Sequence, residues 1–301
     1  MRLNLKQLEA FVWVADMQSF RRAADRLHTT QPNISARIAG LEAALGVTLM
    51  TRDAGSVRLT EKGQEILIYA RRVLDACDAL VVAADQKALI AGTLRLGVTE
   101  MIVHTWLRDY LRALKDQFPS LAVELTVDLS ANLEKGLAAR TLDLALQNAP
   151  FSRQSSGEIA LGASAMIWVA SPALALPERV KLDQLAQFPI LTHARNTRLF
   201  DQVAAHFAQR RDLNVRLVPS SNLAACLHMS LDGMGVATLP AAMVAKAIKA
   251  GELMRIDCGW NPAPLDFFAR YDAEKAAMPV RQAAATAAAV AASYDREILS
   301  C

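Results

Sequence analysis

Ser19-Phe20-Arg21-Arg22-Ala23-Ala24-Asp25-Arg26-Leu27-His28-Thr29-Thr30-Gln31-Pro32-Asn33-Ile34-Ser35-Ala36-Arg37-Ile38-Ala39-Gly40-Leu41-Glu42-Ala43-Ala44-Leu45-Gly46 reads as two short helices across a tight turn. In the first, Phe20, Ala23, Ala24 and Leu27 recur at i, i+3, i+4 and i+7, one face of a helix. Ser19 precedes it as a capping side chain, able to accept from an amide that has no partner inside the helix. The second starts at Thr30, another capping residue, and tolerates Pro32 because a first turn has no amide bond to lose there. Ile34, Ile38, Leu41 and Leu45 form its buried stripe. Pro32, Ala36, Ala39 and Gly40 point away from that stripe, with Gln31, Ser35 and Arg37 on its flanks. An outward face so small and polar suits a helix that presses into the DNA major groove. An ordinary helical hairpin inside an all-α core would show the same stripes.

On either side of this pair the head extends. Leu5, Leu8, Phe11, Val12 and Ala15 give a helical face ahead of it. After Gly46, β-branched residues surround the turn Asp53-Ala54-Gly55-Ser56, which predicts a short hairpin, or wing. Arg52 and Arg58 flank its tip, either reaching a phosphate backbone or simply solvated. Residues 1–60 hold eight Lys/Arg against five Asp/Glu, whereas the remainder balances 25 against 25. A basic head on a neutral body suits contact with phosphates.

These residues together resemble the winged helix-turn-helix of LysR-type transcriptional regulators. The matching positions are Leu8-Glu9-Ala10-Phe11, Ser19-Phe20, Ala23-Ala24, Leu27-His28, Thr30-Gln31-Pro32, Ser35, Ile38, Leu41-Glu42, Leu45-Gly46, Leu49, Arg52 and Leu59-Thr60-Glu61-Lys62-Gly63. The resemblance implies sequence-specific binding of double-stranded DNA, with the helix from Thr30 in the major groove. Gln31, Pro32 and Ser35 match family positions that face DNA. Ser19, Arg21, Arg22, Thr30, Asn33, Ala36, Arg37, Arg52 and Arg58 are the further candidates. Many members carry a basic residue where this chain has Ala36 and another where it has Gly55; Arg37 is the candidate substitute for the first.

From Glu61 to about Ile90 nothing but Gly63 interrupts helical character, giving an expected helix roughly 45 Å long. Leu67, Ala70, Leu74, Cys77, Val81 and Ala84 form a heptad-like seam, widened by Ile66, Val73 and Leu80. The resemblance implies a linker helix that pairs two subunits into a dimer or tetramer; packing on the chain's own body is the alternative. Gly92-Thr93 reads as a hinge.

Beyond residue 93 strands alternate with helices, the pattern of an α/β body. Strands are expected at Leu94–Val98, Val123–Val127, Leu142–Leu146, Ala165–Ala170, Pro189–Leu191, Asn214–Val218, Val236–Leu239 and Leu265–Ala269. A helix is expected over residues 100–117, and the Ala-rich Val280–Tyr294 closes the chain as another. Gly233-Met234-Gly235-Val236-Ala237-Thr238-Leu239-Pro240 matches a late run of the family's effector domain, which resembles the two α/β lobes of periplasmic solute-binding proteins. The expected organisation is a DNA-binding domain over 1–60, a linker over 61–92 and an effector domain over 93–301. Its first lobe would take about 93–162 and 267–301, its second about 163–266.

Ligands of open α/β sheets sit beyond the carboxyl ends of strands, where helix amino ends favour anions. Thr99 and Ser130 match polar positions that line the family's cleft, and they serve equally well as plain helix caps. Glu100, Met101 and Asn148 lie beside them; Thr192, His193, Asn196 and Asn222 face them from the second lobe, with Arg195 and Arg198 able to pair a carboxylate. His193 reads more readily as a solvated loop residue than as a ligand contact. The expected effector is a small anionic metabolite such as an organic acid.

Other classes fare worse. His28, His104, His193, His206 and His228 lack ligand spacing, so no metal ion is implied. Gly233-Met234-Gly235 has Thr238 where a dinucleotide fingerprint needs its third glycine, and no GxxxxGK[ST] occurs, so no cofactor and no enzyme activity is implied. Cys77, Cys226, Cys258 and Cys301 are far apart and read as reduced thiols, with a switch between Cys226 and Cys258 as a thiol-responsive alternative. A stand-alone solute receptor would share the body but should begin with an export signal, which Lys6, Glu9 and Asp16 interrupt. The uncharged run Ile159–Pro177 is broken by Gly162, Pro172 and Pro177, so no membrane span and a cytoplasmic location are expected.

Overall fold

Three helices open the chain: α1 (Leu5–Met17), α2 (Phe20–Arg26) and α3 (Gln31–Leu45). The computed structural model describes residues 3–53, 56–84, 90–195, 197–210 and 213–299. The starts of α2 and α3 are capped as the sequence predicts. Ser19 Oγ accepts from the Arg22 amide at 3.3 Å and Thr30 Oγ1 from the Asn33 amide at 3.4 Å. Leu8, Phe11, Phe20, Ala23, Ile34, Ile38 and Leu41 interlock as the core of this unit. Leu5 does not join them; it is exposed, lying in the first turn ahead of the contact.

β1 (Met50–Asp53) and β2 (Ser56–Leu59) pair antiparallel, Arg52 opposite Val57 and Thr51 opposite Arg58. Gly55, where a wing contact was in question, lies outside the described residues. Glu42 explains its place late in α3: its carboxylate accepts from the Leu49 amide at 2.7 Å and the Met50 amide at 3.2 Å, docking the wing onto the helix.

α4 (Glu61–Ala83) follows, about 35 Å long, shorter than expected. Residues 85–89, which the sequence assigns to the same helix, lie outside the described residues. The expected seam is resolved into two stripes. Ala70 is buried, and Leu67 and Leu74 pack with it against the core of the head. One residue round the helix, Tyr69, Val73 and Leu80 are exposed. The Asp16–Arg71 ion pair ties α1 to α4 on the buried side.

The second unit contains two five-stranded sheets. The first is built from β3 (Gly92–Val98), β4 (Leu121–Val127), β5 (Leu144–Asn148), β6 (Gly157–Ser164) and β12 (Leu265–Tyr271), in the order β4-β3-β5-β12-β6. The second comprises β7 (Met166–Ala170), β8 (Ile190–His193), β9 (Leu217–Ser220), β10 (Val236–Pro240) and β11 (Met254–Ile256), in the order β11-β7-β10-β8-β9. β3 runs parallel to β5, and β10 and β9 run parallel to β8, while β12 and β7 pair antiparallel with their neighbours. The chain passes from one sheet to the other between β6 and β7 and returns between β11 and β12, the topology of a two-lobed solute-binding fold.

Helices cover the sheets: α5 (Glu100–His104), α6 (Leu107–Gln117), α7 (Ser130–Ala138), α8 (Leu182–Leu185), α9 (Arg198–Ala208), α10 (Leu223–Leu231), α11 (Ala241–Lys249) and α12 (Met278–Leu299). Several expectations shift. The helix expected over 100–117 breaks after His104, where Thr105 adopts φ −114° and ψ −96° and its hydroxyl turns back onto the Met101 carbonyl at 2.9 Å. β5 and β9 begin later than expected, and β6, whose glycines and polar residues interrupt its apolar ones, and the three-residue β11 were not foreseen; they are held by antiparallel pairing with β12 and β7.

Candidate functional site

On the head, α3 presents Gln31, Pro32, Asn33, Ala36 and Ala39 exposed, while Ile34, Ile38 and Leu41 are sealed inside. Ser35 and Arg37 are half-buried on its flanks. Gly40, expected on the outward face, instead lies against α1; a Cβ there would meet Gln7 Nε2 at 2.6 Å. Burial pushes the Glu9 carboxyl on α1 up, and the Arg37 and Lys6 charges oppose that rise.

Ser19 and Thr30 cap helices with the oxygens that would otherwise be offered outward, and Asn33 Nδ2 donates to Thr29 Oγ1 at 2.8 Å. Arg21 and Arg22 are exposed on α2 and Arg58 on β2; Arg52 lies in β1. Gln31 and Asn33 are thus the amide side chains exposed on this face of α3, beside the small Pro32 and Ala36.

In the second unit the carboxyl ends of β3, β5, β8 and β9 bring candidate groups together. Thr99 caps α5 by position but not by side chain: it is 6 % exposed and its Oγ1 has no partner among the described residues. Ser130 is the first residue of α7, and its Oγ bonds the Asn148 side chain at 3.0 Å and the Asn148 amide at 3.2 Å. Among the described residues Thr192 Oγ1, on a buried side chain, has no partner. His193 is not a solvated loop residue; it ends β8, 8 % exposed, and its Nε2 has no partner among the described residues. Burial drives its pKa down to about 4 against the opposing pull of the Thr238 carbonyl and the Glu100 charge, so the ring is neutral. Its bond to Thr238 leaves Nδ1 as the donor and Nε2 as an acceptor.

Glu100 makes the link between lobes. Its Oε2 accepts from the Leu223 amide at 2.7 Å and its Oε1 from the Ala224 amide at 3.0 Å, across from α5 to α10. Asn222 spends its side chain on the Ala225 amide at 2.7 Å. Other expectations are corrected. Met101 is packed in the core. Arg195 is exposed, its guanidinium 5.3 Å from the Phe200 ring centroid, and Arg198 is exposed at the start of α9, so neither enters the cluster. Asn196 lies outside the described residues.

Sequence reasoning missed the support beneath Ser130. Arg270, 2 % exposed on β12, pairs with Glu134 at 3.3 Å and Glu158 at 3.0 Å and lies 3.8 Å from the Phe151 ring centroid. The Gln147 amide, oriented to satisfy both neighbours, donates to the Ser130 carbonyl at 3.1 Å and accepts from Arg270 at 3.2 Å. An arginine directly after the apolar run Phe267-Phe268-Ala269 was the available signal.

A helix-turn-helix head with a β wing, a long helix and two α/β lobes in one chain define the class of a transcriptional regulator with an effector-binding domain. A model described as "Bacterial regulatory helix-turn-helix protein, lysR family" matches residues 5–64, and one described as "LysR substrate binding domain" matches residues 87–292. The chain belongs to the LysR family of transcriptional regulators and is not an enzyme. It is 30% identical over 288 residues to the HTH-type transcriptional regulator PtxR of Pseudomonas aeruginosa, covering 93% of this chain and 89% of that protein. A probable hydrogen peroxide-inducible genes activator of Streptomyces viridosporus is 29% identical over 256 residues, 83% of this chain and 82% of that protein. Among solved structures, Vibrio fischeri DarR in complex with DNA shares the fold with a TM-score of 0.56 at 18% identity, over 96% of this chain and 100% of that one. No helix among the described residues is long and apolar enough to cross a membrane.

Proposed function

We propose that the protein binds operator DNA through α3 and the β1–β2 wing as a homo-oligomer, a dimer or tetramer, and that a small carboxylate bound between its α/β lobes controls this binding. The carrying observation is the uncovered row Gln31, Pro32, Asn33 and Ala36 on a helix whose opposite face already completes the core. Nothing in the packing of the head requires that row to be small and polar; a groove does. The solved complex of Vibrio fischeri DarR with DNA supports the same use of the fold.

The exposed Tyr69, Val73 and Leu80 support pairing through α4, since they recur at the spacing of a coiled-coil seam and no part of their own unit covers them. Two paired heads would meet two half-sites. The carboxylate class is supported by the amino end of α10, which already holds one, that of Glu100. Mobility shifts on DNA upstream of the protein's own gene test the reading. Retardation at low salt, lost with Gln31→Ala and Asn33→Ala together, is expected; indifference to that DNA overturns it.

A thiol-responsive reading is favoured by the name of the Streptomyces viridosporus relative. Against it, burial pushes the thiols of both Cys226 and Cys258 up, away from the reactive thiolate that peroxide chemistry needs. Mild oxidation that alters DNA affinity in the wild type but not in Cys226→Ser would favour it. A stand-alone receptor would bind ligand with no DNA affinity at all.

A further inference from the structure

The amino end of α10 is filled from the opposite lobe. Glu100, first residue of α5, places both carboxylate oxygens on the Leu223 and Ala224 amides, and Asn222 takes the amide of Ala225. These are the amides that a free anion would otherwise claim at a helix start. Thr99 Oγ1, on the residue next to Glu100, and His193 Nε2 have no partner among the described residues, and both side chains are more than nine-tenths buried. His193 is within electrostatic reach of Glu100. Buried polar atoms without partners are costly, and they cluster where a ligand supplies the missing bond.

We propose that Glu100 is a resident stand-in for the ligand: an incoming carboxylate displaces it from the Leu223 and Ala224 amides, while a hydroxyl or amino group of the same ligand donates to His193 Nε2. This rests on the interlobe cleft being the effector site and names the ligand class, a small hydroxy- or amino-carboxylate. The class follows from the donors and acceptors present. The amides demand an anion, and the neutral imidazole, with Nδ1 committed to Thr238, offers only an acceptor. Because Glu100 is tethered, it competes at a high effective concentration, so a bare monocarboxylate does not displace it. A ligand with the second group does. Displacement breaks the bond between lobes, giving the ligand different affinities for the bridged and unbridged states, which any population shift requires.

The test uses the full-length protein, wild type and Glu100→Ala, titrated with sodium acetate and sodium glycolate against sodium chloride of equal ionic strength. Thermal melting and isothermal titration are read. Acetate is expected to leave the wild type unchanged relative to chloride, and to raise the melting temperature of Glu100→Ala by several degrees with millimolar affinity. Glycolate is expected to bind the variant at least fivefold tighter than acetate, an advantage lost when His193→Phe is added. Equal responses of wild type and variant to acetate, or no response in either, overturn the proposal. If Glu100→Ala fails to fold, Glu100→Gln keeps the shape and removes the charge. Acetate must then shift the Leu223 and Ala224 amide resonances of that variant, and their failure to move overturns the proposal equally. If acetate fills the variant but no carboxylate alters its DNA retardation, the site stands and the regulatory reading falls.

Discussion

The carbonyl oxygen of Leu49 occupies the space beside Gly63: a Cβ on that glycine would come within 2.1 Å of it. The Gly63 amide donates to Thr60 Oγ1 at 2.9 Å, and the same hydroxyl donates to the Thr48 carbonyl at 2.8 Å. The start of α4 is thereby pressed against backbone, which cannot move aside as a side chain could. Gly63→Ala is expected to destabilise the head by about 2 kcal/mol or more, in the range of overpacking against a fixed neighbour. Urea unfolding followed by near-ultraviolet signal from Trp13 checks it, with DNA retardation weakening in parallel.

Glu42→Ala removes the acceptor for the Leu49 and Met50 amides. Leaving partly buried donors unmatched costs about 1–3 kcal/mol. Hydrogen exchange at those two amides should speed up before global stability falls, since the wing is released first.

Ala36→Glu places a carboxylate on the exposed face of α3 without touching the core. DNA affinity is expected to fall by about a hundredfold, while the melting temperature moves by less than a degree or two, as for surface substitutions generally. A fall in both together would mean that the residue is structural.

The two stripes of α4 make opposite predictions. Leu80→Glu, on the exposed stripe, should convert the oligomer to a smaller species with the head still folded. Leu74→Glu, packed against the head core, should unfold the head instead. Sedimentation velocity with circular dichroism on both variants distinguishes them.

His193 gives stability a pH dependence whose sign is fixed. Its folded pKa, about 4, lies below the ordinary value near 6.5, so between these values the unfolded chain binds the extra proton. Stability contributed by the neutral ring is present above pH 6.5 and is lost as pH falls toward 4. The loss is about 3 kcal/mol for a shift of this size. His193→Gln should flatten that part of the pH profile in thermal melts.

What could be read in the sequence was whatever depends on neighbours three or four residues apart. The caps at Ser19 and Thr30, the buried stripe Ile34–Ile38–Leu41 and the wing all follow from local spacing and local hydrogen bonds, and they stand where the sequence puts them. The α/β alternation of the body is likewise local, which is why the strands most apolar along their length, β7 and β10, were anticipated, whereas β6, interrupted by glycines and polar residues, and the three-residue β11 were not.

The tertiary structure decided what each polar group faces. Gly40 turns toward Gln7 on α1 because the helix crossing, and not the helix itself, sets which flank is covered. The seam on α4 divides because the head claims Leu67, Ala70 and Leu74, leaving the adjacent stripe free. Glu100 and Leu223 stand 123 residues apart, and only the two passages of the chain between sheets bring that carboxylate to that amide. Sequence fixes periodicity, which is a property of neighbours along the chain. Partnership across a cleft belongs to the fold.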